Sequence, residues 1–281
     1  MLGIIGGTGL YKIEGLETLE EKEVKTPFGA TSGAISVGKI GETKIAFLPR
    51  HGKNHQILPG EINYRANLWA MKSVGVTQIL SVSATGSLQE EIKPGDLAVP
   101  NQYVDWTSGK RTGTFFGEGL VAHISTAEPS CPNLAANIRK SAEQNKTHIH
   151  FKKTYVCVEG PRLGTRSESM ILRQNGCDLV GMTNVPEVFL AREAQLCYAT
   201  IAIATDYDSW QEDPSQHATV AKVIELYGKN MSRVQAIVKT MVSTLSPLTE
   251  CGCRKSLEWA IMTKEEILSP EKKELLAFLR K

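Results

Sequence analysis

The sequence predicts a single α/β domain, and three observations carry that prediction. Short β-branched runs alternate with helical stretches along most of the chain, the pattern of a sheet with helices packed on it. The 281 residues, 41% of them apolar, can bury a substantial core without staples. No internal repeat or low-complexity linker divides the chain, so one body over residues 1–250 is expected, followed by a tail over 251–281.

The elements follow in order. Leu2–Ile5 is a buried strand that runs into Gly6-Gly7-Thr8-Gly9. Ala34–Val37 and Lys44–Leu48 are the next strands, and Pro49 stops the second because it has no N–H for a ladder. A helix over Ile62–Ser73 precedes the strand Gln78–Ser83, which breaks into Ala84-Thr85-Gly86-Ser87. The strand Leu97–Pro100, the helix Pro132–Gln144, the strand Lys153–Val158 and the helix Arg166–Asn175 come next. Leu179–Met182 is a strand that leads into the helix Glu187–Ala194, and Tyr198–Ala204 is the last strand. A long helix runs from Val220 to about Leu245, where Pro247 ends it. In the Lys-rich tail the Leu and Ile spacing suits one or two docking helices rather than a second domain.

Charge narrows the function. With 32 basic and 30 acidic side chains the formal charge is +2, so no whole-protein field points to a nucleic acid or a membrane, and a small ligand is the better partner. The N-terminus lacks a basic n-region, and no run reaches the roughly 18 apolar residues of a spanning helix; a cytoplasmic location is expected. The cysteines at 131, 157, 177, 197, 251 and 253 lack the paired CxxC spacing of a zinc site, so no metal is expected. Cys251-Gly252-Cys253 is either a pair of free thiols or a small strained ring, the latter in keeping with hyperthermophile usage.

Five segments have the composition of a site. Gly6-Gly7-Thr8-Gly9 directly follows a strand, where a glycine-rich turn brings backbone N–H groups to an anion; it lacks the G-x-G-x-x-G that opens a dinucleotide-binding helix. Arg50 and His51 follow Pro49, offering a bidentate fork and a further donor to phosphate, or simply a surface pair. Ser81 to Ser87 places hydroxyls and amides at a strand end. Val180 to Glu187 leads from strand to helix, with Met182 a flat apolar contact or core filler and Thr183 a donor. Asp206 and Asp208 follow an apolar strand at i and i+2; buried together, at least one holds its proton and suits a general acid, whereas solvated they are a polar loop.

Taken in order, Gly6-Gly7-Thr8-Gly9-Leu10, Arg50-His51-Gly52, Ala84-Thr85-Gly86-Ser87, Glu159-Gly160-Pro161-Arg162, Met182-Thr183, Pro186-Glu187 and Ala204-Thr205-Asp206-Tyr207-Asp208 resemble the methylthioadenosine phosphorylase branch of the purine nucleoside phosphorylases. The resemblance runs from Leu2 to about Leu245. It implies a mixed, partly barrel-like sheet flanked by helices, and a trimer or a dimer of trimers. It further implies phosphorolysis of 5'-methylthioadenosine to adenine and 5-methylthioribose 1-phosphate in methionine and purine salvage, with adenosine as a further substrate, inorganic phosphate as co-substrate and no cofactor.

On that resemblance, Thr8, Arg50, His51, Ser83, Ala84 and Thr183 hold phosphate, Met182 lies under the ribose, and Asp206 and Asp208 face the purine. His123 comes from a neighbouring subunit to the 5' substituent. Asp206 donates a proton to N7 and Asp208 accepts from the 6-amino group, which favours adenine over a 6-oxopurine. Leu163 stands where the family often has an aromatic ring, so the purine meets an aliphatic side chain. Gly164 replaces a hydroxyl residue, and the segment from His217 to Val223 is shifted in length, so Gly164 and Val220 are the positions expected to set 5' selectivity. The CxC tail is similar to that of archaeal, heat-stable members, which implies Cys131–Cys197 and Cys251–Cys253 disulfides. The competing readings are a phosphorylase of methylthioinosine, inosine or guanosine, a nucleoside hydrolase, and a non-catalytic binding or assembly protein using the Lys-rich tail.

Overall fold

A computed structural model describes residues 1–7, 15–213 and 219–281. Among the described residues nine strands occur: β1 (Leu2–Gly6), β2 (Leu16–Lys22), β3 (Ile35–Ile40), β4 (Thr43–Pro49), β5 (Gln78–Ser87), β6 (Leu97–Trp106), β7 (Ile149–Val158), β8 (Leu179–Gly181) and β9 (Cys197–Asp206). The helices are α1 (Tyr64–Ser73), α2 (Pro132–Gln144), α3 (Arg166–Gln174), α4 (Asn184–Glu193), α5 (Val220–Thr244) and α6 (Pro270–Leu279), with short 3-10 turns between some of them.

The strands form one sheet in the order β2-β3-β4-β1-β5-β8-β7-β6-β9, and β9 returns to pair with β5. That closure makes a five-stranded barrel of β5, β8, β7, β6 and β9, with β4, β1 and the β2–β3 hairpin as an open wing. The mixed, partly barrel-like sheet is therefore present. β4, β1, β5 and β9 run parallel to their neighbours in this set, so their carboxyl ends point to one edge, where ligands of open α/β sheets bind.

Period-two alternation sorts the core into two layers. Leu2, Ile4, Ile45, Phe47, Leu80 and Val82 face α2 and α5, whereas Ile5, Ala46, Leu48 and Ile79 face the side of α1 and α4. Burial on both faces gives these strands their near-continuous apolar runs.

The eight strands and five helices expected from sequence all occur, with three informative differences. β2 was missed because LETLEEK has an exposed, charged body and pairs only with β3 at the sheet edge. β6 continues six residues past Pro100 to Trp106; its pairing with β7 shifts register on either side of Pro100, which accommodates the missing donor. β8 stops at Gly181, leaving Met182 outside the ladder. The tail packs into the main core: Leu257, Ala260, Leu268, Leu275, Leu276 and Leu279 join the layer containing α1 and α4, and Phe278 stacks on Trp69. Among the described residues no helix is long and apolar enough to cross a membrane.

Candidate active site

Four parallel strands deliver the site. β1 ends at Gly6 beside Pro49 at the end of β4, and Arg50 N–H donates to Gly6 O at 3.1 Å, fixing the chain as it leaves β4. Arg50 is then turned inward. Its Nε and Nη2 donate to the two carboxylate oxygens of Glu187 at 2.8 and 2.9 Å, Nη2 also reaches Ser81 Oγ at 2.6 Å, and Nη1 donates to Val82 O at 3.1 Å. The fork expected to face phosphate is thus closed on Glu187, and one Nη1 hydrogen is left for a ligand. The ion pair explains why so buried a guanidinium keeps its charge: Glu187 outweighs desolvation and raises its proton affinity further.

His51 is half-buried, and its Nδ1 donates to Ile57 O at 2.9 Å. Burial lowers its pKa to about 4, so the ring is neutral and Nε2 is an acceptor, not the donor expected from sequence. Ser83 on β5 donates to Asn184 Oδ1 at 3.1 Å. The Asn184 amide nitrogen in turn lies 3.0 Å from Ser81 Oγ, 2.6 Å from Tyr198 OH and 2.9 Å from Thr200 Oγ1, and Tyr198 donates to Glu187. Ala84 pairs with Ile203 across the barrel seam. Thr183 is buried and stands at the N-cap of α4, yet its hydroxyl caps no amide, which leaves it for a ligand. Thr8 lies outside the described residues.

Asp206 and Asp208, each 6% exposed, sit where β9 ends opposite Gly86 of β5. Asp206 Oδ1 accepts the Asp208 N–H at 2.8 Å and Oδ2 the Thr205 hydroxyl at 2.7 Å. Burial raises the proton affinity of both carboxyls despite these donors. Thr205 Oγ1 is also 3.3 Å from Thr85 O, so its single hydrogen has two acceptors, and with that hydrogen on Thr85 O its oxygen can accept from a protonated Asp206. Gly86 leaves room for the pair: a methyl group there would come within 3.0 Å of Asp208 Cβ and 3.1 Å of Asp206 Oδ1. A methyl group at Gly164 would lie 3.8 Å from Asp208 Oδ2.

Met182 is half-buried and packs on Gly160, whose φ of +68° and lack of a side chain admit the thioether; a Cβ there would collide with Met182 Sδ. Leu163 is 41% and Val220 68% exposed, and neither joins the buried cluster. His123 is exposed, with its backbone N–H bonded to Ala260 O of the tail.

Sequence reasoning missed several parts. Arg111, in a Gly- and Ser-rich loop, donates to Met182 O and Val185 O at 2.7 and 2.8 Å and to Glu159 through Nε and Nη2; it ties the Glu159–Gly160 loop to the end of β8. Nothing in its sequence neighbourhood signals this. Glu187 and Asn184 lie in the segment from Val180 to Glu187, but nothing local in the sequence gives either a partner. Tyr227 of α5 lies beside Gly7, its hydroxyl 3.2 Å from where a Gly7 Cβ would be.

The expected Cys131–Cys197 and Cys251–Cys253 disulfides are not formed; all six cysteines are free and buried. Instead of two separate pairs, the fold gathers all four sulfurs of Cys131, Cys197, Cys251 and Cys253 within 4.8 Å of one another.

A hydroxyl-lined strand end and a buried aspartate pair on one sheet edge are the arrangement of a phosphate-dependent glycosyl-transfer site. In agreement, the family model described as "Phosphorylase superfamily" matches residues 1–243, and the chain belongs to that superfamily. The chain is 44% identical over 276 residues to S-methyl-5'-thioadenosine phosphorylase of Geobacter sulfurreducens, covering 98% of this chain and 96% of that protein. It is 47% identical to the enzyme of the same name from Hyperthermus butylicus, covering 93% and 95%. A crystal structure of methylthioadenosine phosphorylase from an antarctic soil metagenomic library superposes with a TM-score of 0.92 at 41% identity, covering 99% and 98%. A variant of adenosine/methylthioadenosine phosphorylase from Schistosoma mansoni, in complex with adenine, gives 0.88 at 36% identity, covering 93% and 98%. Within the superfamily, the chain groups with the S-methyl-5'-thioadenosine phosphorylases.

Proposed function

We propose that this protein cleaves 5'-methylthioadenosine with inorganic phosphate, giving adenine and 5-methylthioribose 1-phosphate, and that adenosine is a second substrate. The C1'–N9 bond breaks, a phosphate oxygen bonds C1', and the purine takes up a proton. The observation that carries this reading is the buried Asp206–Asp208 pair at the end of β9, on the same sheet edge as the hydroxyls of Ser83 and Thr183.

Phosphate bound by Thr183, the Ala84 backbone, the remaining Arg50 hydrogen and Ser83, whose hydroxyl turns its one hydrogen from Asn184 Oδ1 to the ligand, stabilises the positive charge that develops on the ribose and then attacks it. Arg50 is already neutralised by Glu187, so phosphate is held largely by neutral donors, and its charge is left available to the ribose. Neutral His51 accepts the P–OH of hydrogen phosphate at Nε2. Asp206, whose proton affinity burial raises, supplies the proton to N7, and Asp208 accepts from the 6-amino group. A 6-oxopurine would set its carbonyl against the Asp208 carboxylate, which disfavours that alternative. Met182 supports the ribose, and Gly164, where a Cβ would lie 3.8 Å from Asp208 Oδ2, borders the purine end of the site rather than the 5' end at which the sequence set it. His123, exposed on its own chain, completes a neighbouring subunit's site in a trimer or a dimer of trimers. Phosphate is a co-substrate, no cofactor takes part in the reaction, and the cytoplasm, rich in phosphate and nucleosides, is the setting.

The test is adenine release from 5'-methylthioadenosine with and without phosphate, beside adenosine and inosine. Phosphate-dependent release fastest with the methylthio substrate is the expected result. Release that ignores phosphate supports the hydrolase reading instead, and turnover of inosine alone supports the 6-oxopurine reading.

A further inference from the structure

Away from the active site, the sulfurs of Cys131, Cys197, Cys251 and Cys253 lie within 4.8 Å of one another, all four residues buried. They come from three separate segments. Cys131 is the N-cap of α2, Cys197 is the first residue of β9, and Cys251 and Cys253 flank and enter the 3-10 turn Gly252–Lys255 of the tail. We infer that this quartet is a structural zinc site that pins the C-terminal segment to the barrel.

The dimensions fit. Zn–S bonds of about 2.3 Å set the sulfurs of a tetrahedron about 3.8 Å apart. Cys131 Sγ and Cys251 Sγ are 3.6 Å apart, and small side-chain adjustments bring the remaining sulfurs to that spacing. Four thiolates and no open position make a closed site, which is the structural form; sulfur-only tetrahedral ligation suits zinc over the harder magnesium or calcium.

The surroundings are built for sulfur anions. Leu134 N–H points at Cys131 Sγ at 3.4 Å, Asn133 Nδ2 at Cys251 Sγ at 3.4 Å, and Arg192 Nη1 at Cys253 Sγ at 3.0 Å. Donors aimed at three of four sulfurs are the outer shell that orients and stabilises thiolate ligands. Binding releases the thiol protons to solvent and leaves two net negative charges on the centre; the Arg192 guanidinium and the N-terminus of α2 offset them. Disulfides are the competing use of these sulfurs. A bridge needs two sulfurs at about 2.05 Å, and a cluster in which every pair is already close does not select one partner for each cysteine. CxxC spacing gave no warning of the site because only Cys251 and Cys253 are near in sequence.

Zinc here has a defined mechanical effect. The tail it holds donates and accepts at Val121 and His123, through Met262 N–H to Val121 O and Ala260 O from His123 N–H, 2.9 and 2.8 Å. The clamp therefore steadies the loop that carries His123.

The test uses the full chain without a histidine tag, produced with zinc in the medium. Elemental analysis is expected to find about one zinc per chain, released when a mercurial blocks the thiols. Cobalt(II) exchanged into the intact protein is expected to show the near-ultraviolet thiolate charge-transfer band and the visible bands of a tetrahedral centre. The Cys251→Ser, Cys253→Ser double variant loses the metal, and Cys177→Ser, outside the cluster, keeps it. Should the double variant fail to fold, the wild-type zinc content and cobalt spectrum decide alone. Wild-type protein without stoichiometric zinc and without the cobalt spectrum, or with two disulfides among these four cysteines in unreduced peptide maps, would overturn the assignment.

Discussion

Arg50 and Glu187 form a two-pronged ion pair inside the protein, with side chains 2% and 1% exposed, and together they join the end of β4 to α4. Removing one member leaves the other charge buried and unpaired, a loss of about 3–5 kcal/mol. Glu187→Ala is expected to lower Tm by about 10 °C, and Glu187→Gln, which keeps the shape and one acceptor, by less. Differential scanning fluorimetry of both variants decides this; a Glu187→Ala shift of under about 2 °C would show the pair contributes little.

Gly86 stands against both aspartates. Gly86→Ala would push its methyl group into Asp208 Cβ, Val180 Cγ1 and Asp206 Oδ1 at 3.0, 3.0 and 3.1 Å. The neighbours can yield a few tenths of an ångström, so the fold survives while the carboxyls shift. The expected outcome is a kcat/KM for methylthioadenosine lowered by about 100-fold with Tm nearly unchanged. Equal damage to both quantities would deny the position its special relation to the site.

The two aspartates are expected to separate by role. Asp206→Ala removes the proton donor and should lower kcat by about 10²- to 10⁴-fold. Asp208→Asn presents a donor in place of one acceptor, so the ratio of inosine to adenosine turnover should rise by about tenfold or more. Steady-state kinetics on both nucleosides gives the answer, and an unchanged ratio in Asp208→Asn would remove that residue from base selection.

Glu193 carries a buried carboxyl that accepts Phe115 N–H and the Thr114 hydroxyl at 2.6 and 2.7 Å, and burial pushes its pKa up to about 7. The folded form therefore binds this proton more tightly than the unfolded chain. The stability it contributes is complete below about pH 4.5 and is lost as pH rises through about 7. Glu193→Gln is expected to gain up to about 3 kcal/mol relative to the parent between pH 5 and pH 8. Parallel pH–Tm curves for the two proteins would refute this.

Most of the fold was legible because buried parallel strands must be apolar on both faces, so Leu2–Ile5 and Ile201–Ala204 announce themselves. β2 did not, since an edge strand such as Leu16–Lys22 satisfies its one ladder with exposed charged side chains. Composition at strand ends marked Thr183 and Asp206 as candidates, but left Asp206 open between a general acid and a polar loop; the fold buries it. Arg111 and the Arg50–Glu187 pair could not, because their partners lie 48 and 137 positions away and no local pattern encodes such a meeting. The cysteine quartet was hidden for the same reason, with 120 positions between Cys131 and Cys251.

β5 belongs to both halves of the sheet: it pairs with β1 in the wing and with β8 and β9 in the barrel. During synthesis, β1, β4 and β5 emerge early, yet Gly86 acquires its opposite number, Asp206, only after more than a hundred further residues. Because such distant pairing is slow to form, the wing waits with one side of β5 uncovered, and a chain interrupted before residue 197 has β1, β4 and β5 but neither aspartate. The catalytic edge is therefore incomplete until β9 has paired with β5, and refolding monitored by turnover should lag behind refolding monitored by secondary structure.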